Sequence, residues 1–288
     1  MILLVIGVKR KKMKLKKKIL INGFVGSCRA IRKNPSYVAI SFFIDLVFLF
    51  VFLTAYHFFF GKIMDRVISL LMLTGKALQG LTQNEVSLNI LANQQQMNSL
   101  IINIGVWIGC LAALTYAIYC LSQGMNWFIA HRMFKIKAKP ADYIKRFFRV
   151  NFVWYLMVVI IAYFYVKAVI HAQVLRNPSN LGIVSILSLV LLAVICCFAF
   201  MSYALIKKHS FIDSIKKSFS LAAKEFPTIA SMYLLFIFGF FLIDIILRLI
   251  FMASTTLMVI VGIILIFPAI AYIRLVIISV VDDLATKY

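Results

Sequence analysis

Four ionisable residues stand inside long apolar stretches: Asp45 in "YVAISFFIDLVFLFVFL", Asp244 and Arg248 in "GFFLIDIILRLIF", and Arg274 in "AYIRLVIISVV". A charge at membrane depth is costly, so each is a candidate for ion or proton handling, or for a structural pair. Asp45 falls about 8 residues into its stretch, roughly 12 Å along a helix rising 1.5 Å per residue. It is the deepest acid, with two readings: a proton or cation site, and a structural partner for a base at matching depth. Arg274 lies near the corresponding end of the last stretch, so the ion pair is the preferred reading. Asp244 and Arg248 are four apart, one helical turn, and are expected to pair with each other, with the arginine snorkelling to water at a span end. His57 and His171 have no neighbouring carboxylate in sequence, and two histidines alone make a poor metal site. The five cysteines (Cys28, Cys110, Cys120, Cys196 and Cys197) have no ligand spacing and read as packed thiols.

Motifs for covalent or hydrolytic chemistry are missing. There is no HExxH, GxSxG, P-loop or GxGxxG, and the only paired carboxylates outside the apolar stretches are Asp282 and Asp283. The expectation is a chain that is not an enzyme and needs neither cofactor nor metal.

The elements that carry these residues follow from composition. Hydrophobic residues make up 64% of the chain and the mean hydropathy is +1.00, well above the roughly 45–50% apolar content of soluble domains. Six runs reach the length of about 20 residues that crosses a hydrocarbon core: Tyr37 to Phe60, Ser99 to Leu121, Asn151 to Ala172, Ile183 to Ile206, Thr228 to Ile250 and Thr255 to Val280. Each must be helical, because an open strand in lipid leaves its backbone groups unpaired. The fold class is all-α: an integral membrane helical bundle of six transmembrane helices. The start, "MILLVIGVKRKKMKLKKK", has the wrong order for a secretory signal. It either lies shallowly in the membrane surface or precedes a true start at Met13.

The net charge of +22 is distributed unevenly along the chain. Sorted by side of the six spans, one side receives Lys9 to Lys33, Arg132 to Arg149, Lys207 to Lys224, Arg274 and Lys287. The other receives only Lys62, Arg66, Lys76, Lys167, Arg176 and Arg248. Cytoplasmic loops carry the excess of Lys and Arg, which predicts a multi-pass protein of the cell membrane with both termini cytoplasmic. The partners implied are membrane lipids with anionic headgroups on that side, each nearby cation contributing about 1 kcal/mol. The residues expected to meet them are Arg29, Arg32, Lys145, Arg146, Arg149, Lys216, Lys217 and Lys224. Nucleic acid is not expected, since no stacking aromatics or recognition motif accompany the basic runs.

Before spans 1, 3 and 5 the sequence places short basic amphipathic helices of the kind that lie in the interface. "FIDSIKKSFSLAAKEFP" sets Phe211, Ile215, Phe219, Ala222 and Phe226 on one stripe and stops at Pro227. "ADYIKRFFRVNFVWYL" sets Tyr143, Ile144, Phe147 and Phe148 on one side, and "FVGSCRAIRKNPSYV" does so with Phe24, Cys28 and Ile31. The domain reading is a basic arm over residues 1–22, a membrane domain over 23–281 and a tail over 282–288. Within the domain, three repeats of interfacial helix plus hairpin are expected at 23–122, 139–206 and 210–281. The first hairpin carries a long external loop, 61–98, in which Ile63, Val67, Leu70, Leu71 and Leu78 form a helical apolar stripe capping the outer leaflet. Gly105 and Gly109 give a GxxxG face that allows close helix packing. Pro268 should kink the sixth span. Trp107, Trp127 and Trp154 read as packing and interface anchors.

The stretches "RAIRKNPSYVAISFFIDLVFL", "FIDSIKKSFSLAAKEFPTIASMYLL" and "LIFPAIAYIRLVIISVV" resemble poorly characterised prokaryotic polytopic membrane families. They are similar to the six-span membrane domain attached to some glycerophosphodiester phosphodiesterases and to its stand-alone relatives. The resemblance covers Gly23 to Val281 and implies a six-span membrane domain. It implies no phosphodiesterase activity, because that catalytic domain is absent from this sequence. The leading functional expectation is a non-enzymatic membrane-organising or assembly-type protein contacting anionic lipids. The alternative is a small-solute or ion/proton permease using Asp45 and the Pro268 kink.

Overall fold

The computed structural model describes the backbone of residues 2–78, 83–134, 139–174, 179–207 and 209–287, and the side chains of 18–75, 93–134, 139–169, 171, 182–207 and 209–287. Among the described residues the chain forms eight α-helices: α1 (Ile2–Lys33), α2 (Pro35–Leu78), α3 (Gln83–Met133), α4 (Pro140–Val174), α5 (Ser179–Leu205), α6 (Phe211–Lys224), α7 (Phe226–Phe251) and α8 (Thr255–Ala285). Six of them, α2, α3, α4, α5, α7 and α8, are long and apolar enough to cross a membrane. The protein is an all-α helical bundle of multi-pass membrane type.

Prolines and short polar side chains set the breaks. Asn34 ends α1, its backbone N–H and side-chain Nδ2 each 3.1 Å from the Ala30 carbonyl. Pro35 and Pro140 then open α2 and α4, where a missing N–H costs nothing. Ser210 caps α6 by accepting from the Asp213 N–H at 3.2 Å, and Ser254 caps α8 by accepting from Leu257 N–H at 3.3 Å; both satisfy donors that a helix start leaves free.

Two expected boundaries differ. The basic segment before the third span is no separate interfacial helix but the opening turns of α4, and the one before the first span is the end of the 32-residue α1. No proline or glycine interrupts 141–174, so nothing stops that helix. The expected external loop at 61–98 is likewise helical where described. α2 runs on to Leu78 and α3 begins at Gln83, because the periodicity of Ile63, Val67 and Leu70 simply continues that of the span; Leu78 itself lies outside the described side chains.

The chain divides into two compact units. One is the 46–121 hairpin of α2 and α3. Phe48, Phe52, Tyr56 and Phe60 form an aromatic ladder along α2 at i, i+4 spacing, with successive ring centroids 5.9, 6.3 and 5.3 Å apart. Phe48 meets Tyr119 at 6.4 Å, and Trp107 meets Phe58 at 6.5 Å and Phe59 at 5.8 Å, zipping the two helices together. The other unit, 1–45 with 122–288, holds the remaining helices and the inner ends of α2 and α3.

In that larger unit α4 packs on α5, α1 and α7 on α8, and α6 on α5 and α4. Its core sits at one end of the spans. Trp127, Phe147, Leu205, Met232 and Ile277 are buried there. At the other end α5 exposes Ile183, Ile186, Leu189 and Val190, and α7 exposes Phe238, Phe241, Ile245 and Leu249. No span buries more than 11% of its most apolar window, the arrangement of helices whose solvent is lipid rather than water. Close approach at the packed end is sharpest where α1 crosses α8: a Cβ on Gly23 would stand 2.5 Å from Val280 Cγ2.

The fourteen-residue α6 is separate from α7, as its proline signal predicts. On the stripe of Phe211, Ile215, Phe219, Ala222 and Phe226, Phe219 and Phe226 are exposed and the other three half-buried, while the face turned to the bundle is Ser214, Ser218 and Leu221, all buried. Ser218 Oγ lies 3.1 Å from Ser202 Oγ of α5. In a bilayer apolar side chains gain nothing by leaving lipid, so small polar residues take the helix–helix contact.

Candidate functional site: a buried polar cluster

Ser41 and Asp45 are four apart on α2, and Gln123 and Asn126 three apart on α3, so each pair shares a helix face. Arg274 of α8 meets both. Ser41, Asp45, Asn126 and Arg274 are buried, each no more than 4% exposed. The Arg274 fork binds the carboxylate bidentately, Nη1 donating to Oδ2 and Nη2 to Oδ1, both at 3.1 Å. Asp45 Oδ1 also accepts from Asn126 Nδ2 at 2.7 Å and Gln123 Nε2 at 3.2 Å.

The uncharged members close two rings. Arg274 Nη2 donates to Gln123 Oε1 at 2.7 Å, and the other end of the same amide faces Asp45. Arg274 Nη1 donates to Ser41 Oγ at 3.3 Å, and Ser41 donates to Asn126 Oδ1 at 2.9 Å. Each amide turns its oxygen toward a donor and its nitrogen toward the carboxylate. A buried ion pair repays its desolvation only with good geometry and further hydrogen bonds, and both conditions are met. Chemically the arrangement is a clamp joining three helices. Its carboxylate is occupied by four hydrogen bonds from three side chains.

The other sequence-predicted residues are dispersed. Asp244 and Arg248 pair at 2.7 Å on the surface of α7. Pro268 lies inside an unbroken α8; its ring removes the N–H that would bond Ile264 C=O, and the preceding Phe267 packs on Phe42 at 5.7 Å. Arg29, Arg32, Lys145, Arg146, Arg149, Lys216, Lys217 and Lys224 are all exposed. His57 and His171 are exposed, and among the described residues no group of three His, Cys, Asp or Glu is placed to hold a metal. Of the cysteines only Cys120 is buried; Cys28, Cys110 and Cys196 are exposed. The GxxxG face of Gly105 and Gly109 is expected to receive a helix, yet among the described residues nothing lies within 4 Å of a Cβ built at either.

Sequence reasoning missed Ser41, Gln123 and Asn126. The signal was there: polar residues at i, i+4 and i, i+3 near the basic ends of two spans. It also missed two other ties at that end. The Tyr203 carbonyl, in the last turn of α5 where carbonyls lack helical partners, receives Tyr143 Oη at 3.5 Å and lies 3.3 Å from His131 Nε2. Tyr203 Oη in turn donates to Asn151 Oδ1. Buried Glu225, at the α6–α7 elbow, accepts from Lys287 Nζ at 2.9 Å and from Thr228 Oγ1 at 3.4 Å.

No protein-family model, curated protein or solved structure matches the chain.

Proposed function

We propose that this is a non-enzymatic membrane-organising or assembly-type protein of the cell membrane, with both termini cytoplasmic, whose basic end contacts anionic lipid headgroups. The observation that carries the reading is a coincidence of place. The end of the spans where the helices pack most tightly is also the end where Arg29, Arg32, Lys145, Arg146, Arg149, Lys216, Lys217 and Lys224 stand exposed. A rigid, multiply tied platform presents these cations at fixed positions, and the opposite end leaves its apolar faces to lipid. The permease alternative draws on Asp45, but that carboxylate would have to release four hydrogen bonds to bind a cation or proton.

The test is reconstitution of the full chain into vesicles. Retention of anionic over zwitterionic lipid is expected, weakening as salt shortens the screening length and falling when Lys145, Arg146, Lys216 and Lys217 are changed to Gln. Proton or solute flux abolished by Asp45→Asn would instead establish the permease reading.

A further inference from the structure

The Gly105–Gly109 face of α3 receives no helix from this chain, and it belongs to a longer stripe. Ile101–Ile102, Gly105–Val106 and Gly109–Cys110 are adjacent pairs recurring every four residues on one helix face, and all six residues are exposed. Trp107 points the other way, onto Phe58 and Phe59 of α2. Rows at i, i+4 are the ridges of right-handed helix crossings, in which glycines let two backbones approach closely.

Small residues alone do not call for a partner; the polar continuation of the stripe does. A groove of about 620 Å³ runs along its N-terminal side, lined by Gln94, Gln95, Asn98, Ser99, Ile102 and Asn103. None of these four amides has a hydrogen-bond partner among the described residues. Asn103 lies inside the apolar run that begins at Ser99, where lipid offers an amide nothing to bond. An amide both donates and accepts, and in a membrane it finds its partner on another helix.

Symmetry identifies the occupant. Copies of a multi-pass chain insert in one orientation, so two of them meet about a two-fold axis along the membrane normal, where residues near the axis face themselves. Such a seam takes only side chains that match their own kind. Amides bond amides, glycines and isoleucines pack on their like, and no charged residue stands between Glu85 and Arg132 to repel its copy. We propose that α3 is a homodimer seam, packing Gly105 and Gly109 against the same glycines of a second copy and pairing the amides around Asn98 across the two-fold axis. The seam goes beyond the headgroup reading and does not rest on it, since none of its residues is basic.

The test uses the full chain at low density in phosphatidylcholine vesicles, with copies counted by single-molecule photobleaching and the seam probed through Cys110. A disulfide needs Cα atoms about 4.4–6.8 Å apart, an approach that a glycine face permits. With the other four cysteines changed to Ala, copper phenanthroline should link Cys110 to its copy and give a covalent dimer. Ile108→Cys with Cys110→Ala, exposed to lipid but off the stripe, should stay monomeric. Gly105→Leu/Gly109→Leu should be monomeric at densities where the wild type is dimeric. A Cβ at either position meets nothing described within 4 Å, so the helical circular dichroism should be unchanged. Asn98→Leu should raise the dimer Kd roughly three- to tenfold, the worth of one interhelical amide bond. A wild type that stays monomeric at every density overturns the seam, as does equal cross-linking at 108 and 110, which reports collision. A dimer that survives the double glycine change overturns the assignment to this face. Cross-linking of Cys110 in native membranes to a different polypeptide, with none to its copy, overturns the second copy as occupant.

Discussion

Two Asp–Arg pairs mark the two ends of the larger unit, and they are opposites. Asp244 and Arg248 make the shorter contact, 2.7 Å, with side chains 51% and 79% exposed. Asp45 and Arg274 sit at 3.1 Å with both side chains only 5% exposed. Distance would rank the first pair higher, but environment reverses the order. The exposed pair joins two residues one turn apart on one helix and constrains nothing else. The buried pair joins α2 to α8, recruits two amides and a hydroxyl from α2 and α3, and cannot trade its partners for water. The difference teaches what burial adds to a pair in the larger unit: at the basic end, beside an apolar core, Asp45 and Arg274 tie three helices together, whereas the exposed pair ties none.

The comparison can be broken most forcefully at Asp45. Asp45→Asn leaves the Arg274 guanidinium buried without its counter-charge and should cost about 3–5 kcal/mol of stability, measured by unfolding in mixed micelles. Adding Arg274→Gln should restore part of that loss, with a coupling energy of about 0.5–3 kcal/mol in the double-mutant cycle. Additive losses would mean the two groups act independently. Packing tests the same contrast without charge. Gly23→Ala forces a Cβ against Val280 and should cost about 1–3 kcal/mol by overpacking. Gly239→Ala on lipid-exposed α7, with nothing described within 4 Å, should be neutral or stabilising by up to about 1 kcal/mol through helix propensity. The smallest loss of stability belongs to Arg248→Ala, about 0.2–0.5 kcal/mol for an i, i+4 pair. A loss there as large as that of Asp45→Asn would erase the distinction between the ends.

Much of this fold was legible in the sequence, because lipid imposes simple rules. Apolar runs of sufficient length gave the six spans, Pro35 and Pro227 marked where the preceding basic helices stop, and matching depth pointed Asp45 toward Arg274. The lengths of α2 and α3 were not legible from span length alone, since a helix ends where something stops it and nothing does near Phe60. The face that α6 turns to the bundle was not read at all: its apolar stripe was assigned to the membrane interface, and Ser214 and Ser218, which are the residues buried against the bundle, give no apolar signal in the sequence. Ser41, Gln123 and Asn126 escaped notice because neutral polar residues are common at span ends. Only the meeting of three helices distinguishes these.

The central claim is that the packed, basic end faces the cytoplasm, and side-specific cysteine labelling tests it most directly. Single cysteines at Lys216 on α6 and at Thr255, the first residue of α8, probe the two ends in a background whose native cysteines are changed to Ser. The account predicts that an impermeant thiol reagent applied to intact cells modifies the cysteine at 255 and reaches the one at 216 only after the membrane is opened. Labelling at 216 in intact cells, with 255 protected, would contradict it.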